Sequence, residues 1–88
     1  MLKYQVQIGS KLSPRFNTLE KAQAWQKEHL TTKDKYTEIS VYGTVLELAK
    51  LYPDMYFYTL DELTIGEFLN ARACCTLDGH HFCLDLED

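Results

Sequence analysis

The sequence has little proline and glycine, with two and four residues among 88. The chain also contains no internal repeat and no low-complexity segment. Uninterrupted apolar runs are short, and none approaches the roughly 18 residues that a membrane-spanning helix needs. The first residues also lack the basic, apolar and small-residue pattern of a signal peptide. We therefore expect a cytoplasmic protein that does not enter a membrane.

Motifs that mark common enzymes are missing as well. The chain has no Gly-rich phosphate loop, no G-x-S-x-G and no H-E-x-x-H. Two adjacent acids, Asp61 and Glu62, fall at a predicted helix start, where interaction with the helix dipole explains them. We therefore predict a protein that is not an enzyme and that uses no cofactor.

Basic residues are scarce in the second half of the chain. Residues 37–88 hold two Lys/Arg and ten Asp/Glu, which gives a net charge of −8. Residues 1–36 hold seven Lys/Arg and three Asp/Glu, which gives a net charge of +4. The acidic half is unsuited to direct binding of nucleic acid. It is suited to a basic protein surface, including one that normally binds nucleic acid. The alternative is that the acids only keep a small protein soluble.

What is present indicates a globular domain, since 45% of the residues are hydrophobic. Apolar and polar residues alternate over residues 2–8 and 36–43, which predicts two half-buried strands. Helical spacing follows Asn17, a predicted cap, and a T-x-x-E capping box at Thr44 predicts a short helix to about residue 51. We predict a single α+β domain over residues 1–88. Its mostly antiparallel sheet of about five strands carries one main helix and ends in a C-terminal β-hairpin.

Residues 55–71 allow two interpretations. Residues 55–58, of which the last three are aromatic, fit a short strand. Two further T-x-x-E boxes, beginning at Thr59 and Thr64, then compete. A helix over residues 60–71 is one outcome. A single turn that ends near Leu63, followed by a strand from about Glu67, is the other. We favour the second, because Gly66 costs a helix about 1 kcal/mol relative to alanine.

The dipeptide Asp78-Gly79 predicts the turn of the C-terminal hairpin. A type I′ turn needs positive φ at both central residues, and this dipeptide is the strongest short signal for it. A two-residue loop places Cys74 opposite Cys83 in a non-hydrogen-bonded pair, with Cα atoms about 4.5 Å apart.

Cysteine chemistry is suggested only at this hairpin. Cys74 and Cys83 share the polar face with His81, so a redox-sensitive disulfide is geometrically possible. The alternative is two reduced thiols packed under a neighbouring loop. Zinc needs four ligands, and Asp85 is the candidate fourth, but the spacing matches no zinc pattern, so we predict no metal. A redox- or metal-responsive regulator is the alternative function.

Tyrosines concentrate in the central third of the chain, close to the acids. Tyrosine is enriched at protein interfaces, although tyrosines on a sheet also serve as amphipathic packing residues. The predicted partner-binding residues are Tyr52, Tyr56, Tyr58, Asp61, Glu62 and Glu67. The chain is typical of phage and mobile-element inhibitors of host nucleic-acid machinery, including anti-CRISPR proteins. We therefore predict an acidic protein-binding module with a basic, nucleic-acid-binding protein as partner. A homodimer through an unpaired sheet edge, residues 2–8 or the hairpin, is a further possibility.

The run YQVQIGS at residues 4–10, followed by a loop and a helix, resembles the opening of the SPOR domain, a peptidoglycan-binding module. The resemblance covers the first half of the chain. The second half departs from the family pattern, because it contains no second copy of the strand–helix unit. The resemblance implies a periplasmic role, which conflicts with the lack of an export signal, so we assign no family.

Overall fold

A computed structural model describes residues 1–34, 36–55 and 63–84 of the chain. Within these ranges the elements are β1 (Lys3–Ile8), β2 (Lys11–Leu12), α1 (Leu19–His29), β3 (Thr37–Thr44), α2 (Val45–Leu51), α3 (Ile65–Asn70), β4 (Arg72–Thr76) and β5 (Cys83–Leu84). The strands form one antiparallel sheet in the order β2-β1-β3-β4-β5. The predicted α+β fold with a five-stranded antiparallel sheet is therefore confirmed.

Strand alternation gives the sheet one apolar face, and the described helices pack on it. The buried residues of this face are Val6, Ile8, Ile39, Val41, Ala73 and Cys75, each at most 7% exposed. Helix α1 covers one end of the face through Ala22, and α2 and α3 cover the other through Leu48 and Phe68. We call the opposite side, which carries Gln5, Tyr42 and Cys74, the open face.

The first helix begins one residue later than predicted. The Thr18 hydroxyl accepts a hydrogen bond from the backbone N–H of Lys21 at 3.2 Å, so Thr18 is the N-cap. The side-chain oxygen of Asn17 instead accepts a hydrogen bond from the Lys3 ammonium group. Asn17 therefore joins the helix start to β1, and the cap falls to the next residue with a suitable oxygen.

Thr44 is the N-cap of helix α2, as the capping box predicts. The Thr44 hydroxyl accepts from the Glu47 N–H at 3.2 Å, and the Glu47 carboxylate accepts from the Thr44 N–H at 2.9 Å. The same carboxylate lies 2.8 Å from the α-amino nitrogen of Met1. The ammonium group of Met1 and the Thr44 N–H together lower the pKa of Glu47 to about 2.

We expect this carboxylate to make stability depend on pH in acid. The folded-state pKa of Glu47 lies below its ordinary value of 4.5, so its contribution is complete above that value and is lost as the pH falls toward about 2. In Glu47→Gln the part of the acid-induced loss of stability that comes from this carboxylate should be absent. Urea unfolding midpoints measured above pH 4.5 and near pH 2 give this difference in stability. Glu28→Gln, on the exposed side of α1, is the control, and equal acid sensitivity of the two variants would contradict the expectation.

The preferred interpretation of residues 65–70 is wrong, because they form α3 rather than strand. Thr64 and Glu67 make a complete capping box, with two hydrogen bonds of 3.1 Å. Phe68 is 5% exposed and packs into the core. Capping and burial together offset the cost of Gly66, and the strand begins only at Arg72. Of the predicted strand over residues 55–58, only Met55 lies within the described residues.

The predicted hairpin is present, but its turn is not type I′. The Thr76 N–H donates to the His80 carbonyl at 2.8 Å, and the Thr76 carbonyl accepts from the Gly79 N–H at 2.9 Å. The loop therefore has three residues, 77–79. Gly79 has a φ of +84°, whereas Asp78 is not in the left-handed region. The Thr76 hydroxyl bonds to the Asp78 side chain and accepts from the His80 N–H, which holds this longer loop.

The predicted pairing beyond the loop is nevertheless confirmed. Cys74 pairs with Cys83, and Ala73 pairs with Leu84. The three-residue loop alone would shift this register by one. One additional residue between the loop and β5 restores the register, as in a β-bulge. His81, in this segment between the loop and β5, has a φ of +56°.

In the described part of the sheet, the outer strands are the two-residue strands β2 and β5. The suggestion that residues 2–8 form an unpaired edge is wrong, because β1 pairs with β2 on one side and with β3 on the other. A homodimer stays a prediction that size measurement in solution would test. Among the described residues, no helix is both long and apolar enough to cross a membrane.

Candidate functional site

Two of the predicted partner-binding residues, Tyr52 and Glu67, belong to the described part of the chain. The other four, Tyr56, Tyr58, Asp61 and Glu62, lie outside it. Glu67 is exposed on α3, where the backbone N–H of Thr64 lowers its pKa. Its carboxylate therefore stays charged while it caps the helix.

Tyr52 connects the end of α2 to the hairpin loop. Its hydroxyl donates to the Leu77 carbonyl at 2.6 Å. Its ring lies against Gly79, and a Cβ atom at Gly79 would stand 2.9 Å from the Tyr52 Cδ1 atom. Burial raises the pKa of Tyr52. The side chain thus fixes the position of the loop relative to α2.

Beside Tyr52 is a groove of about 380 Å³ between the end of α2 and the hairpin loop. Its lining residues are Leu51, Tyr52, Pro53, Asp54, Met55, Asp78, Gly79 and His80. Asp54 and Asp78 are exposed. A hydrogen bond from the Thr76 hydroxyl is the main cause of the lowered pKa of Asp78. The groove therefore combines apolar walls with two carboxylates.

A second groove, of about 340 Å³, lies between the start of β3 and the same loop. Its lining residues are Tyr36, Thr37, Glu38, Ile39, Thr76, Leu77 and Asp78. The Tyr36 hydroxyl donates to the Glu38 carboxylate at 2.7 Å, and this hydrogen bond raises the pKa of Tyr36. The Tyr36 side chain is half exposed. Because Asp78 lines both grooves, we take the two together as the surface that flanks the loop.

We call this the hairpin-tip surface and define it by Tyr36, Glu38, Tyr52, Asp54 and Asp78. Among the described residues, no lysine or arginine lines either groove. The sequence-based prediction of an acidic, tyrosine-containing surface selected Tyr52 but missed the other four. Tyr36 and Glu38 reach the loop only because β3 and β4 are neighbours in the sheet. No local pattern signals that pairing.

The predicted cysteine pair occupies the open face. Cys74 is half-buried, Cys83 is exposed, and each carries a thiol in this structure. The backbone N–H and C=O of Thr76 both form hydrogen bonds across the hairpin. Because the backbone N–H and C=O of successive strand residues point to opposite sides, those of Cys74, two residues earlier, also point toward β5. Cys74 and Cys83 are therefore a hydrogen-bonded pair with Cα atoms about 5.5 Å apart. The predicted non-hydrogen-bonded pair followed from the wrong loop length.

Three of the candidate metal ligands, Cys74, His81 and Cys83, lie within the described residues. In the part of the chain that the structure describes, no group of three His, Cys, Asp or Glu side chains is placed to hold a metal ion. His81 is exposed and has a left-handed backbone conformation. Its ring packs edge-on against the His80 ring, with the two ring centroids 6.5 Å apart. Asp85, the candidate fourth ligand, lies outside the described residues. Cys74 and Cys83, the two thiols of this set, are neighbours in the sheet register.

Comparison with known proteins gave no match among family models, curated proteins or solved structures.

Proposed function

We propose that this chain is a small, non-enzymatic protein-binding module that inhibits a nucleic-acid-handling protein by occupying its basic surface. The observation that supports this best is the hairpin-tip surface. It presents three carboxylates, Glu38, Asp54 and Asp78, together with two tyrosines, and it has no lysine or arginine among its described lining residues.

The chemistry of these groups fits a partner rich in arginine. A guanidinium group binds carboxylate and phosphate through the same paired hydrogen bonds. A protein surface that holds a nucleic-acid backbone through arginines would therefore also accept Asp54 and Asp78. The apolar walls, including Leu51 at 45% exposure, supply area that a partner can cover.

The charge of the chain adds a longer-range attraction. Residues 37–88 carry a net −8, and an acidic field of this kind accelerates association with a basic protein. The same field disfavours direct binding to nucleic acid, so the proposal excludes it. A cytoplasmic location, where such machinery operates, and the class of phage-type inhibitors that includes anti-CRISPR proteins are both part of this proposal.

Parallel capture with two charge-matched variants tests the proposal. Tagged wild-type protein, Asp54→Lys and Glu28→Lys are incubated with nuclease-treated bacterial lysate, and retained proteins are quantified by mass spectrometry. Both substitutions change net charge equally and at exposed positions. Only Asp54 belongs to the hairpin-tip surface. We expect one basic protein to be retained by wild type and Glu28→Lys, and to be depleted about tenfold with Asp54→Lys, a loss of about 1.4 kcal/mol.

The identified partner then serves for direct titration, and nucleic acid should compete with the wild-type chain for it. Two results would contradict the proposal. One is an identical set of retained proteins for all three chains, which indicates nonspecific adsorption. The other is retention of proteins only from a parallel lysate that received no nuclease, which indicates contact through nucleic acid.

A further inference from the structure

The cysteine pair on the open face carries chemistry that partner binding does not use. Cys74 lies between Tyr42 of β3 and Cys83 of β5 in the sheet register. Both thiols are on the side opposite the described helices. Cys83, which is exposed, is the thiol that a dissolved reagent reaches first, and half-buried Cys74 is its direct neighbour.

The Cα separation of the pair fits a disulfide, whereas the Cβ atoms, about 5.5 Å apart in a hydrogen-bonded pair, must approach by about 1 Å for the bond to close. A hydrogen-bonded antiparallel pair has Cα atoms about 5.5 Å apart, within the range of about 4.4–6.8 Å seen for disulfides. We propose that Cys74 and Cys83 are a redox modification site, which closes to an intrachain disulfide on exposure to a peroxide-class oxidant. The bond would fasten the two-residue strand β5 to β4.

The third cysteine does not compete, although it is adjacent to Cys74 in sequence. Cys75 points to the apolar face and is 2% exposed. Burial raises its pKa to about 11, so almost none of it is thiolate near neutral pH. The fold therefore separates two neighbouring cysteines into one reactive and one inert thiol.

The reaction proceeds in two balanced steps. The Cys83 thiolate attacks one peroxide oxygen, the O–O bond breaks, and the departing hydroxide takes a proton to leave as water, so that Cys83 becomes a sulfenic acid. The Cys74 sulfur then attacks the Cys83 sulfur, the S–O bond breaks, and a second water leaves with the proton of Cys74. Two thiols are oxidised, and one hydrogen peroxide is reduced to two waters.

Mass spectrometry and thiol titration of the intact chain after hydrogen peroxide treatment test this assignment. Wild type should lose about 2 Da, the mass of two hydrogens, and regain it with dithiothreitol. Of its three thiols, one should remain titratable. Cys75→Ser should form the bond at the wild-type rate. Cys74→Ser, which keeps Cys75 and Cys83, should form one at least about tenfold more slowly.

An unfolded control identifies the fold as the cause. In guanidinium chloride the two variants should oxidise at similar rates, since Cys74 and Cys75 are then nearly equidistant from Cys83 along the chain. The assignment is overturned if Cys75→Ser keeps both thiols after peroxide. It is also overturned if the product is linked between chains, or if Cys83 gains oxygen atoms instead of forming the bond.

Discussion

Replacement of Gly79 with alanine should destabilise the folded protein by about 2–3 kcal/mol. Two costs act together. The backbone at Gly79 has a φ of +84°, which an L-residue rarely adopts. The new Cβ atom would also stand 2.9 Å from the Tyr52 ring. Tyr52 cannot move away without loss of its 2.6 Å hydrogen bond to the Leu77 carbonyl. For a domain of this size the thermal midpoint should fall by roughly 10–20 °C.

Two other glycines serve as controls for the same substitution. Gly9 also has a positive φ, +58°, but nothing lies within 4 Å of a Cβ there, so Gly9→Ala measures the conformational cost alone, about 1 kcal/mol. Gly66 lies in α3 with open space around it, and Gly66→Ala should stabilise by up to about 1 kcal/mol. Equal losses for Gly79→Ala and Gly9→Ala would show that contact with Tyr52 contributes nothing.

Leu48→Ala should cost about 3 kcal/mol of unfolding free energy. Leu48 is fully buried in α2 and packs with Val41 and Phe68 in the core. Its truncation leaves a cavity that the short helix cannot close without loss of its other contacts. A domain of this kind has about 5–15 kcal/mol of stability in total, so the loss is a large fraction. Urea unfolding with an unchanged slope would measure it directly.

Leu46→Ala is the matched control for this cavity. The substitution is chemically identical and lies in the same helix, but Leu46 is 41% exposed. Helix propensity changes equally in the two variants, so their difference isolates burial. We expect Leu46→Ala to change stability by less than about 1 kcal/mol. Similar losses in both variants would place the core elsewhere than beneath α2.

Elements whose determinants are local could be predicted from the sequence. Alternation over residues 2–8 and 36–43 corresponds to β1 and β3, because each strand buries one face. The capping box of Thr44 and Glu47 placed the start of α2, because both hydrogen bonds join residues three positions apart. The pairing of Cys74 with Cys83 was also predicted, but from the wrong loop length, and it holds because an additional residue after the loop restores the register.

Features that depend on distant or competing contacts could not be predicted from the sequence. Thr76 favours a longer loop through its own hydroxyl, which no turn dipeptide encodes. Burial of Phe68 in the core stabilises α3 and offsets the local cost of Gly66. The hairpin-tip surface needs residues 36–39 beside residues 76–78, which only the strand order supplies. Part of the predicted interface, residues 56, 58, 61 and 62, lies outside the described residues.

The central position of β3 also governs how the chain reaches its fold. Its nearest register partners are far away in sequence: Ile8 pairs with Thr37, 29 residues on, and Thr44 pairs with Arg72, 28 residues on. The outer pairs, β1 with β2 and β4 with β5, join residues close in sequence. Two local hairpins can therefore form early, but the core appears only after two long loops have closed around β3. The entropy of that closure, more than helix or strand propensity, sets the folding rate.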